Sequence, residues 1–99
     1  MTNEDQERQE REANQALRLA AVAREAIRNE AVQAYFDEIE AKAIDQMIAA
    51  APTEDLERLR CAVVAGTIRG MRRFLEDAVA GGDYAAELLK QLNKGVKAR

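Results

Sequence analysis

The sequence predicts an all-α fold, and three observations carry that prediction. Apolar residues recur at three- and four-residue steps through most of the chain. No segment alternates with period two over a useful length, and no Asn-Gly or Asp-Gly turn occurs. The only proline, Pro52, separates two long runs with helical spacing. Together they predict an antiparallel helical hairpin, about 30–50 and 54–80, with a projecting N-terminal helix and a short C-terminal helix. The expected outline is elongated, with residues 1–16 a polar segment, 17–94 one all-α domain and 95–99 a loose basic tail.

Residues 2–16 are polar, and Thr2 or Asn3 can cap a helix whose first turn is acidic. Glu4–Arg8 and Glu7–Arg11 stand at i,i+4 with the acid first, each adding about 0.3–0.5 kcal/mol. This segment can be helical without a core, so it is expected to fray or project. Apolar spacing begins at Leu17 and runs through Leu19, Val22, Ala26 and Ile27. Asn29 then offers a cap for a new helix, with Glu30 in its first turn. One continuous helix through Asn29 is the alternative; a break is the favoured reading.

Val32, Phe36, Ile39, Ala43 and Met47 form the next stripe, which Tyr35, Ile44 and Ile48 widen. The residue before a proline is pushed out of the helical region, so this helix should end near Ala50. Thr53 is the expected cap of the following helix, with Glu54 and Asp55 in its first turn. Leu56, Leu59, Val63, Val64, Ile68, Met71, Phe74, Leu75, Ala78 and Val79 make an apolar face wide enough for more than one neighbour. Gly81-Gly82 is expected to stop that helix. Asp83 would cap a short last helix ending at Gly95, with Tyr84, Ala85, Leu88, Leu89 and Leu92 inward.

Composition limits the function classes. Ninety-nine residues make one small domain, and much of the 47% hydrophobic content is alanine, which buries little area. A thin core is therefore expected, and packing against a partner would add to it. Net charge is −3, which excludes a strongly basic nucleic-acid-coating chain. The chain has no histidine, which removes the usual general base and the commonest metal ligand. No Gly-rich phosphate loop, Walker pattern or zinc spacing occurs. No enzyme activity, cofactor or small-molecule substrate is expected. The longest apolar stretch, Cys61 to Ile68, is far shorter than a membrane span. The first residues, Met-Thr-Asn-Glu-Asp-Gln-Glu, do not resemble a secretory signal. A single cysteine cannot form an internal disulfide, which fits a reducing compartment, and the chain reads as cytosolic and soluble.

Five features invite a sharper reading, each with a plainer one beside it. Ala62, Gly66 and Gly70 recur every four residues, and small residues at that spacing let helices approach closely. Each glycine gives up as much as about 1 kcal/mol of helix propensity, which asks for a reason. They either receive the preceding helix of the same subunit, form a self-association or partner face, or mark a kink or ligand gap. Arg69, Arg72 and Arg73 form a candidate charged recognition patch, with Arg58 and Arg60 upstream. Glu76 and Asp77 follow at once, so a salt-bridged, solvated face is the plainer reading. Asp37, Glu38, Glu40 and Asp45 could bind a metal, but without histidine they read as a solvated face. Cys61 lacks a base and reads as a small core residue. The acidic start and basic end suggest head-to-tail contact or, more simply, helix-dipole complementarity.

From Asn29 onward the layout resembles a group of small all-helical proteins, without assigned activity, encoded by tailed bacteriophages. The residues that carry the likeness are Asn29-Glu30-Ala31-Val32-Gln33-Ala34-Tyr35-Phe36, Ala51-Pro52-Thr53-Glu54-Asp55, Glu57-Arg58-Leu59, Leu75 to Gly82, and Ala85 to Leu92, about two-thirds of the chain. Those proteins often have Asn-Pro-Ala-Phe-Gln in place of Asn29-Glu30-Ala31-Val32-Gln33, and Thr-Gly in place of Gly81-Gly82. The resemblance implies a part in a head, packaging or assembly module and supplies no site residues. The expected function is a homo-oligomeric protein–protein interaction module of virion structure or assembly, with itself or other phage proteins as partner. A DNA-packaging subunit similar to small terminase proteins, or a small phage inhibitor of a host enzyme or defence system, are the alternatives.

Overall fold

Helix is the only regular structure among the described residues. A computed structural model describes residues 2–97. In order they form α1 (Asn3–Arg28), α2 (Glu30–Ala49) and α3 (Asp55–Lys97). No described helix is long and apolar enough to cross a membrane. Chain contacts divide the protein into two units, one of Met1–Ala26 with Leu75–Arg99 and one of Ile27–Phe74.

The caps explain where the helices begin. Thr2 Oγ1 accepts from Asp5 N at 3.2 Å, closing the first turn of α1. Asn29 leaves the helical region (φ −76, ψ 114), and its Oδ1 accepts from Ala31 N and Val32 N at 2.9 and 3.1 Å. The break expected at Asn29 is present, and the side chain that makes it also starts α2. Ala50 is extended (φ −64, ψ 137), ending α2 two residues before Pro52. Glu54 N donates to Ala51 O at 2.9 Å, so Ala51–Glu54 is a turn with Pro52 at its second position. α3 starts one residue later than a Thr53 cap requires: Glu54 O accepts from Arg58 N at 3.2 Å. The Arg58 guanidinium donates to Ala51 O (2.6 Å) and Pro52 O (2.9 Å) and pairs with Asp55. The arginine therefore holds the turn that Thr53 was expected to hold.

In the unit of Ile27–Phe74, α2 packs on the first part of α3. Ala43, Cys61 and Ala65 form a buried cluster with Ile44 and Met47 against it. Phe36 and Ile68 are buried as well. Arg72 lies over the Phe36 ring, 5.3 Å from its centroid, and donates to Gln33 (2.9 Å) and Asp37 (2.5 Å). Partners move up α2 as they move down α3, Asp37 with Arg72, Glu40 with Arg69 and Gln46 with Cys61. Those two segments therefore run in opposite directions.

In the other unit, α1 packs on the last part of α3. Ala13, Ala20, Ala23 and Ala85 are its buried side chains. Gly82 lies so close to α1 that a Cβ there would overlap the Ala20 methyl. Arg24 pairs with Asp83 at 2.7 Å. Four expectations need correction here. Gly81-Gly82 does not end a helix, because no glycine has positive φ and α3 continues to Lys97. No separate short C-terminal helix exists, and Gly95 is helical. The loose tail is helical as far as Lys97, while Ala98 and Arg99 lie outside the described residues. The N-terminal helix does not project, because its alanine stripe gives α3 a close seat. Gly82 removes the last obstacle to that contact, and close approach rather than termination explains the glycine.

Candidate functional site

The first part of α3 carries two faces with opposite character. Cys61, Ala65 and Ile68 point at α2 and are buried. On the opposite side, Leu56, Leu59, Val63, Gly66, Gly70 and Phe74 follow at three- and four-residue steps. Leu56 is 83% exposed, Leu59 61%, Val63 59% and Phe74 59%. Met71 at one flank is 47% exposed. A large apolar side chain exposed singly is ordinary; this many on one helix face is the pattern of an interaction surface.

Ala62, Gly66 and Gly70 lie along this outward side, and all three are exposed. A Cβ built at Gly66 or Gly70 meets nothing within 4 Å. The glycines thus do not receive α2, which rests on Cys61 and Ala65 instead. Within the chain they leave two notches beside bulky neighbours.

The arginine patch is split. Arg72 is held by Gln33, Asp37 and the Phe36 ring, and Arg69 is 3.8 Å from Glu40. Arg73 is exposed. Two of the four clustered α2 carboxylates thereby answer α3 arginines. On the exposed side of α3, the hydrogen bond that Arg60 donates to Glu57, and then the Glu57 charge, raise the Arg60 pKa. Cys61 Sγ lies 3.9 Å from Gln46 Oε1 and 3.8 Å from Glu57 Oε1, weak contacts for a buried thiol that packs as a small apolar group.

The second surface feature belongs to the α1-containing unit. Gln9, Glu12, Ala16, Gly81, Tyr84 and Leu88 line a shallow groove there. Tyr84 is 74% exposed rather than inward, and Gln9 Oε1 is buried without a hydrogen-bond partner. This groove depends on α1 lying against α3, which no residue spacing in the sequence indicates. The Arg24–Asp83 pair was equally hidden, its members being far apart in the chain.

Comparison with family models, curated proteins and solved structures gives no match to this chain.

Proposed function

We propose that this chain is a non-enzymatic helical interaction module that acts as an oligomer in the assembly or structure of a phage particle. The observation that carries the interaction reading is the outward face of α3. Leu56, Leu59, Val63 and Phe74 stand in solvent on a fold whose buried side chains are mostly alanine. An alanine-rich core supplies little apolar burial, and the burial those side chains could add is gained only when a partner covers them. An α2–α3 hairpin is the scaffold that presents this face. The phage setting rests on the likeness of the residues from Asn29 onward and on nothing in the geometry. The split of the arginine patch weakens a DNA-packaging role, because Arg69 and Arg72 already have acidic partners.

Tagged chain purified under native conditions from phage-infected cells, followed by mass spectrometry, tests the reading. Recovery with capsid, portal or tail proteins is the expected outcome. A stoichiometric complex with a host enzyme, and absence from every particle intermediate, would replace it with the inhibitor role. Duplex binding at low salt that falls steeply as salt rises would replace it with DNA packaging.

A further inference from the structure

The outward face of α3 is divided along its length. Its first part is bulky, with Leu56, Leu59 and Val63. Its second part is notched at Gly66 and Gly70 and closes on Phe74. Such a face is not complementary to itself when two copies lie parallel, since bulk meets bulk and notch meets notch. Reversed, it is: when Leu59 of one copy lies over Gly70 of the other, Val63 falls over Gly66 and Leu56 meets Phe74. The same register settles the charges. Asp55 and Arg73 lie on one flank of the face, and a two-fold axis across antiparallel helices brings like flanks together. Asp55 of each copy then stands beside Arg73 of the other. Arg58 holds the Asp55 carboxylate from one side, yet that side chain is still 87% exposed and Arg73 is exposed, so the outer side of the carboxylate can take Arg73 of the other copy.

We infer that this chain pairs with a second copy of itself through the outward face of α3, antiparallel, with Leu59 and Val63 seated on Gly70 and Gly66 and Asp55 facing Arg73. The inference rests on the interaction reading and names the partner. Close seating gives the glycines a purpose that the isolated chain does not supply. The notches let two helix backbones approach, as a larger residue there would not. The contact is one helix face wide, smaller than the about 800 Å² per partner of a standard interface. A contact of that width fits a reversible, concentration-dependent dimer rather than an obligate one.

Two measurements on the full chain test it. In sedimentation equilibrium the natural chain dimerises at micromolar concentration. Gly70→Leu fills the notch without touching its own fold and weakens association by roughly tenfold or more, with helicity unchanged or higher. Asp55→Arg and Arg73→Asp each weaken it, and the double reversal restores it. In a Cys61→Ala background, a short bismaleimide then probes Asp55→Cys with Arg73→Cys. On one helix these sites are about 27 Å apart, out of the linker's reach, so any bridge joins two copies. Cross-linking of the double variant above either single variant is expected. A single variant that cross-links equally well shows parallel pairing and overturns the inference, as does undiminished association of Gly70→Leu. A chain that stays monomeric at tens of micromolar overturns it too. If that monomer still co-purifies with particle proteins, the pairing has failed while the interaction reading stands.

Discussion

The two units hold a helix against α3 by different means. Around Ile27–Phe74 the contact is a layer of side chains, with Phe36 and Ile68 buried beside Ala43, Cys61 and Ala65, and Arg72 capping the Phe36 ring. Around Met1–Ala26 with Leu75–Arg99 it is a close approach of backbones, with Ala13, Ala20 and Ala23 of α1 meeting Gly82 and Ala85 of α3. A side-chain layer fails when atoms are removed from it. A backbone contact fails when atoms are added. The difference teaches that one helix, α3, uses its small residues for opposite ends: Gly82 is filled by a neighbour, while Gly66 and Gly70 are left open.

The largest effect is expected from subtraction in the first of these contacts. Phe36 is 6% exposed and is the bulkiest buried side chain there. Phe36→Ala should destabilise by about 3 kcal/mol, through the cavity left and the loss of the ring under Arg72. Urea denaturation followed by circular dichroism reads it as a lower midpoint at similar slope. A shift below about 0.5 kcal/mol would mean that the side-chain layer is not what holds this unit.

Addition is the corresponding attack on the other contact. Gly82→Ala gains up to about 1 kcal/mol of helix propensity but must push α1 away, and overpacking of this kind costs about 1–3 kcal/mol. A net loss of up to about 2 kcal/mol is expected from these two terms. Ala20→Gly in the same chain should restore most of it, because it removes the methyl that collides. The double-mutant cycle measures the coupling directly, and additivity would break the comparison.

Asn29→Ala acts on the unit of Ile27–Phe74. It leaves Ala31 N and Val32 N without the side-chain acceptor and should cost about 1 kcal/mol. Amide hydrogen exchange should rise at the start of α2 and stay unchanged around Ala20 and Gly82. Equal loosening on both sides would show that the units do not open separately.

Much of this architecture is legible in the sequence because it is set locally. Asn29 before Glu30, and Pro52 after an alanine run, act on their own backbone within a few residues. What is illegible depends on partners distant in the chain. Gly81-Gly82 has the same local signature whether glycine ends a helix or admits another helix, and only Ala20 decides between them. The alanines of α1 look too small to make a core until Gly82 shows how near α3 comes. Thr53 has good capping chemistry, yet Arg58 reaches back to Ala51 and Pro52 and fixes the turn one residue later. The wide apolar face of α3 is visible in the sequence, but not which side α2 covers. That choice follows Ala43, whose small side chain fits Cys61 and Ala65.

The smallest expected effect has the opposite sign and comes from the same substitution. Gly66→Ala adds a methyl where nothing lies within 4 Å, so no neighbour has to move. Its consequence in the isolated chain is helix propensity alone, a gain of about 0.8–1 kcal/mol. Glycine to alanine thus destabilises at position 82 and stabilises at position 66 of one helix. The measurement must be made across a protein dilution series, because association adds to apparent stability by mass action. At high dilution the Gly66→Ala curve should lie above that of the natural chain. As concentration rises the natural chain should gain on it, because a methyl in the notch hinders the pairing of α3 faces. Curves that stay parallel at every concentration would leave Gly66 with a purely local effect and remove it from the paired surface.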